Sequence, residues 1–255
     1  MPRALALSGL AGWNQTERDW QVFARHGAVR VRDDGGDTLA ASVATLPFGP
    51  VAWISMVLVR PDRRRQGLAT GLMRWALRRL RGTGCVALDA TPEGRAVYAR
   101  LGFRDAWGFS RWRVPALGAV PGARPMREAD WPAVLALDEA AFGAPRGALL
   151  HDVCNRPGFV VEQGGGVAGA ILARDGARAP HAGPLLAREP EAAIALLAAA
   201  LPEGGIIDLR DDAGIAPWLR AQGGTPVRGF TRMLRGHELP GDAAGCMAVL
   251  GPEFG

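Results

Sequence analysis

The 255-residue sequence predicts an α/β protein with a mixed sheet, laid out as two successive halves. Three observations predict it. A branched apolar strand near Val57 turns through a basic segment into an amphipathic helix ending near Leu80. A second strand from Cys85 leads through Pro92 into another helix. After a Pro- and Gly-rich stretch at 115–125, hairpins and helices begin again in the same order.

Taken in order, Ala4 to His26 reads as two helices, broken at Gly12-Trp13-Asn14, with the second starting near Thr16. Ala28–Arg32 and Thr38–Leu46 form a hairpin by the turn chemistry of Asp33-Asp34-Gly35-Gly36. Trp53 to Val59 is the central strand, and Pro61, which cannot donate to a ladder, ends it. The helix from about Leu68 to Leu80 puts Leu68, Leu72, Ala76, Leu77 and Leu80 on one face and Arg74, Arg78 and Arg81 on the other.

The turn between them, Arg64-Arg65-Gln66-Gly67-Leu68-Ala69-Thr70, has the makings of a phosphate site. First-turn N–H groups have no partner inside a helix, and the helix dipole adds positive potential. A P-loop is excluded, because the chain contains no lysine. A dinucleotide fingerprint needs G-x-G-x-x-G, and this turn offers only Gly67 and Gly71. Downstream, CVALDATPEGRAVYARLGF places Tyr98, the only tyrosine, on a helix opened by Pro92 and closed by Gly102.

Arg64-x-x-Gly67-x-Ala69 after a long strand, followed by Tyr98-Ala-Arg-Leu101-Gly102-Phe103, resembles the GNAT superfamily of acyl-CoA N-acyltransferases. The resemblance extends to bacterial two-domain GNAT proteins and implies two tandem GNAT-like domains, the second divergent. A complete module of that family opens with a strand before its first helices, and none is read here. The expected division is a catalytic domain at 1–114, a linker at 115–125, a degenerate domain at 126–240 and a tail at 241–255. In the second half the strand near Gly183–Ala187 passes through Arg188-Glu189-Pro190 with no R-x-x-G-x-A turn. Leu219-Arg-Ala-Gln-Gly stands where Tyr98-Ala-Arg-Leu-Gly stood, and it brings no phenol.

Composition narrows the function. All 30 basic side chains are arginine, so the net charge of +5 reflects residue usage more than an affinity for nucleic acid. Residues 1–113 carry 18 arginines against 9 carboxylates, and residues 114–255 carry 12 against 16. The basic half is the one with the phosphate turn, as an anionic cofactor favours. Cys85, Cys154 and Cys246 are widely spaced, and His26, His151, His181 and His237 lack ligand spacing, which argues against disulfides and metal. The most apolar helix, near Ala192–Leu201, is too short for a membrane span, and a cytoplasmic protein is expected.

The resemblance implies acetyl-CoA as co-substrate, with no metal, and transfer of the acetyl group to a primary amine of a small molecule. The pantetheine would pair with backbone at Val57, Leu58 and Val59. The pyrophosphate would lie over the N–H groups of Arg65, Gln66, Gly67, Leu68, Ala69 and Thr70, with Arg64 and Arg65 adding charge. Tyr98 would protonate the departing thiolate, and a backbone N–H of the central strand would hold the oxyanion. Asp89 is the first candidate for a general base, ahead of Glu17 and Asp19. Trp13, Asn14, Glu17, Trp20, Trp53 and Thr91 are candidates for the acceptor wall. The degenerate half is expected to wall the acceptor pocket, and a homodimer is compatible with the sequence. Two readings stay beside this one: an acetyl-CoA-binding regulator without chemistry, and a protein or peptide N-acetyltransferase.

Overall fold

The computed structural model describes residues 2–35 and 38–255. The first half runs α1 (Pro2–Leu10), α2 (Glu17–His26), β1 (Ala28–Arg32), β2 (Ala41–Phe48), β3 (Val51–Val59), α3 (Leu68–Arg79), β4 (Cys85–Ala90), α4 (Pro92–Ala99) and β5 (Arg104–Val114). The second runs β6 (Ala123–Pro125), α5 (Trp131–Phe142), α6 (Gly147–Val153), β7 (Arg156–Gln163), β8 (Gly166–Arg174), β9 (His181–Leu186), α7 (Pro190–Ala200), β10 (Gly205–Arg210), α8 (Ala216–Ala221), β11 (Thr225–Gly236) and β12 (Cys246–Val249). Of the expected hairpin turn at Asp33–Gly36, Gly36 lies outside the described residues.

Local chemistry sets these elements. Thr16 caps α2 reciprocally: its hydroxyl accepts from Asp19 N, and Asp19 Oδ2 accepts from Thr16 N at 2.6 Å. Thr91 caps α4 by accepting from Gly94 N at 3.3 Å, with Pro92 in the first helical turn. Along β3 the side chains alternate between two clusters. Trp53 joins Leu7, Trp20, Phe23, Leu150 and Phe254, whereas Ala52 and Ile54 join Leu72, Met73 and Ala76 of α3. The sheet is therefore covered on both faces, which explains why β2 is buried at every position but Pro47.

Among the described residues all strands join one twelve-stranded mixed sheet, in the order β1-β2-β3-β4-β11-β5-β10-β12-β9-β8-β7-β6. The halves interlock. β11 of the second half inserts beside β4 of the first, and β5 of the first lies against β10 of the second. Two expectations are corrected here. The stretch 115–125 is not wholly linker, because Ala123–Pro125 pairs with β7 as an edge strand. Residues 241–255 are not a tail: β12 pairs with both β10 and β9, and Phe254, fully buried, stacks on Phe23 at 5.0 Å.

Candidate active site

β3 and β4 are parallel and pair only at Val51↔Cys85, Ala52↔Val86 and Trp53↔Ala87. Beyond that point each strand stays bonded on its far side, β3 to β2 and β4 to β11, while among the described residues no strand bridges the edges that face each other. Met56, at φ 51, makes the splay visible: the β2–β3 register slips between Ser42 and Ala44, placing a bulge at Met56–Val57. A non-glycine residue in this region is strained, and such strain concentrates at functional sites.

β3 continues through a single 3-10 turn, Pro61–Arg63, into the loop before α3. Arg65 has φ 60 and Gly67 φ 76, so two left-handed residues on either side of Gln66 shape the helix entrance. No side chain caps that entrance, and Arg64 and Arg65 are exposed with no ion pair among the described residues. Uncapped donors, the helix dipole and two available guanidiniums fit a diphosphate. A β-carbon on Gly67 would meet nothing within 4 Å, so glycine is required there by backbone conformation and not by crowding.

At the mouth of the splay lies a cavity of about 80 Å³, lined by Ser55, Met56 and Val57 of β3, Leu88 and Asp89 of β4, and Thr91 and Tyr98. Trp13 and Gln15 from the α1–α2 loop close one side. Arg111 comes from β5, and Arg228, Phe230, Pro252 and Glu253 come from the second half. The Tyr98 ring meets Phe103 edge-on at 6.3 Å, and its hydroxyl bonds no group among the described residues. Burial pushes this phenol up to about 12, so it holds its proton at neutral pH. Three buried polar atoms on the same wall lack a hydrogen-bond partner: Ser55 Oγ, Gln15 Oε1 and Glu253 Oε2. Buried polar atoms are rarely left unpaired, which points to a polar ligand here.

Charged groups behind this wall are tightly paired. Arg232 donates to both oxygens of Asp89 at 2.9 Å, and Arg111 to both oxygens of Asp208 at 2.7–2.8 Å. Arg174 donates to Asp19 Oδ1 at 3.2 Å and to Glu253 Oε1, and reaches His181 Nδ1 at 2.9 Å. Arginine has only donors, so His181 Nδ1 is the acceptor and the imidazole is neutral, its Nε2 lying 3.0 Å from Asp208 Oδ2. Burial and Arg174 push the His181 pKa down, in accord with that tautomer.

The second half has the same parallel junction, β9 with β10 at Ile206↔His181 and Ile207↔Ala182, but its cleft is filled. β12 lies between the two strands, antiparallel to both. The following strand-to-helix junction, Arg188-Glu189-Pro190-Glu191, carries two carboxylates and an arginine already paired with Asp242, where the first half carries Arg64 and Arg65. A filled cleft and like charge both oppose binding of an acyl-CoA there.

The sequence-based site residues separate into two groups. Val57, Thr91, Tyr98, Asp89 and Trp13 line the cavity, while Leu58 and Val59 continue the strand and Arg64–Thr70 form the loop that follows. Asn14 lies outside the cavity. Its side chain clamps the second half, accepting from Arg178 N and Ala179 N and donating to Ala179 O. Trp20 and Trp53 are fully buried, their indole N–H groups held by Ser8 Oγ and Pro252 O. Glu17 is exposed at the start of α2, and Asp19 is spent on the helix cap and Arg174. Burial pushes the Asp89 carboxyl up against the pull of Arg232; both its oxygens are bonded, so taking a proton would break a buried bidentate pair. Gln15, Arg111, Arg228 and Glu253 were not anticipated. The apolar run Met247–Leu250 was the one available signal that the chain's end is structured.

Comparison with known proteins agrees with this geometry. Residues 9–103 match the acetyltransferase (GNAT) family, and residues 134–246 match an acetyltransferase (GNAT) domain family. The chain belongs to the GNAT superfamily and carries two such domains. A holothin acyltransferase of Pseudoalteromonas sp. is 28% identical over 232 residues, covering 86% of this chain and 79% of that one. A candidate acetyltransferase of Pyrococcus horikoshii shares the fold with a TM-score of 0.78 at 20% identity, over 94% of this chain and 85% of that one. A tandem GNAT protein from the clavulanic acid biosynthesis pathway aligns with a TM-score of 0.57 at 16% identity, over 86% and 87%.

Proposed function

We propose that this protein is an acetyl-CoA-dependent N-acetyltransferase that moves an acetyl group to the primary amine of a small molecule by direct attack. The observation that carries the reading is the placement of an unpartnered Tyr98 hydroxyl and the Met56–Val57 bulge on one small cavity. The strand forming that cavity leads into an uncapped, arginine-flanked helix entrance. Acetyl-CoA supplies an activated thioester when bound. The loop from Arg64 to Thr70 holds its diphosphate, and the free edge of Val57–Val59 aligns its amides. A bulge N–H donates to the carbonyl oxygen as negative charge grows there. Tyr98 protonates the departing sulfur. A cavity of only about 80 Å³ favours a small acceptor over a peptide chain. Because both its oxygens are engaged, Asp89 is assigned to anchoring Arg232 rather than to proton transfer.

Calorimetry with acetyl-CoA on the wild type and on Gly67→Glu, followed by thiol release against an amine panel, tests the reading. Binding abolished by the variant, and turnover suppressed by Tyr98→Phe, are expected. Binding without turnover on any amine would make the protein an acetyl-CoA-responsive regulator instead. No binding would remove the cofactor site altogether.

A further inference from the structure

We infer that Glu253, delivered by the chain's last residues, is the group that takes the proton from the acceptor amine. The assignment rests on the acetyltransferase reading above and adds to it a catalytic residue from outside the cofactor-binding half.

Among the described residues, the carboxylates near the cavity differ in what remains unengaged. Asp89 and Asp208 each face an arginine through both oxygens. Asp19 gives one oxygen to the α2 cap and the other to Arg174. Glu253 is 3% exposed and lines the cavity, and its Oε2 has no partner. An unpaired buried carboxylate oxygen is costly unless a ligand donor meets it.

The fold also prevents Glu253 from turning away. Its Oε1 accepts from Arg174, and Arg174 is fixed from the other side by Asp19 and His181. The terminal turn is closed by Phe254 N and Gly255 N, each donating to Gly251 O at 3.0 Å. Phe254 is locked against Phe23, and a β-carbon on Gly251 would come within 3.0 Å of Glu253 Oε2, so this approach depends on glycine. Burial alone would raise the Glu253 pKa. Arg174 is the largest opposing influence, Asp208 acts in the same sense as burial, and the net direction is down, so the group stays a carboxylate at neutral pH. The other charged groups around the cavity are Arg228, half-buried on its wall, and the self-compensated Asp89–Arg232 pair.

The proton balance closes. The amine nitrogen forms a bond to the thioester carbonyl carbon and becomes cationic, which makes its N–H acidic; that proton passes to Glu253 Oε2. The carbon–sulfur bond breaks, and the thiolate takes the Tyr98 proton to leave as free thiol. Solvent then returns the proton from Glu253 to the Tyr98 phenolate, restoring both groups.

The test compares the full-length wild type, Glu253→Gln and Glu253→Asp by thiol release from acetyl-CoA with two probe nucleophiles, propylamine and hydroxylamine. Melting temperature and acetyl-CoA affinity by calorimetry are read alongside. Propylamine arrives with a strongly basic nitrogen, whereas hydroxylamine is neutral at pH 7 and needs a base far less. For Glu253→Gln, propylamine turnover should fall about 100-fold or more, the magnitude of lost general-base catalysis. The acidic limb of its pH profile should disappear, while hydroxylamine turnover and acetyl-CoA affinity stay near wild type. Glu253→Asp should keep the acidic limb at reduced rate. Unchanged propylamine turnover in Glu253→Gln would overturn the assignment. So would parallel losses with both nucleophiles accompanied by a drop in melting temperature or acetyl-CoA affinity, which would mark Glu253 as structural. A wild type that binds acetyl-CoA yet turns over neither probe would overturn the acetyltransferase reading, and the role of Glu253 with it.

Discussion

Gly94 offers the sharpest test of how Tyr98 is positioned. It sits one turn before Tyr98 on α4, and a β-carbon there would lie 2.9 Å from Tyr98 Cε2, 3.4 Å from Cζ and 3.5 Å from the hydroxyl oxygen. Carbon–carbon contacts are optimal near about 3.5–4.0 Å, so Gly94→Ala must push the ring aside by roughly 0.5–1 Å. The ring is only part-buried and can yield without opening a core cavity. Helix propensity favours alanine over glycine by about 1 kcal/mol. The two effects therefore separate. Stability should hold or rise slightly, and acetyl-CoA affinity should not change. The maximal rate of thiol release should fall about 10- to 100-fold, since a misplacement of about 1 Å costs up to about 100-fold. Melting temperature, calorimetry and steady-state thiol release on one preparation measure all three. Turnover within about two-fold of wild type, with the fold intact, would show that the ring's position does not matter and refute Tyr98 as the acid.

Three further outcomes are expected. Tyr98→Phe should reduce the maximal rate about 100-fold with little effect on acetyl-CoA affinity; in the wild type, because the phenol is raised to about 12, thiol-release profiles should show no alkaline fall from this group below about pH 10. Asp208 is held below the usual carboxylate range because Arg111 and His181 outweigh the cost of burying it. Its stabilising contribution is complete above the unfolded value near about 4 and is lost as pH falls towards the folded one, so Asp208→Asn should flatten the acid-side decline of melting temperature while lowering stability at pH 7. Phe254→Ala should cost about 3–5 kcal/mol in denaturant unfolding, as for a fully buried aromatic; a cost below about 0.5 kcal/mol would mean the terminal segment is not core.

Local patterns read well from sequence wherever the physical cause is local. Pro92 and Thr91 announce α4, the turn at Gly12-Trp13-Asn14 places the start of α2 near Thr16, and the apolar spacing from Leu68 to Leu80 announces α3 with its buried face. Most of the order of strands and helices followed from such signals, as did the strand-to-helix turn at Arg64–Thr70 and the helix that carries Tyr98. Three elements escaped: β5, for which no strand is read between the Tyr98 helix and the 115–125 stretch, α6 and β12. α6 is only seven residues long, and β12 is a four-residue strand held by partners far away in sequence.

Alone, the sequence determined the two-half α/β plan, the family resemblance and the turn and helix that the proposed cofactor site is built on, because backbone turns and helix ends are encoded within a few neighbours. Only the tertiary structure decided which carboxylate is available and which half is open. Those answers depend on pairing across long separations: Asp89 with Arg232, Asp19 with Arg174, Arg111 with Asp208. The second cleft is closed by β12, and the chain then runs on to place Glu253 at the first. A lone carboxylate near a chain end reads as a solvated charge until the fold shows that its neighbours have excluded the water.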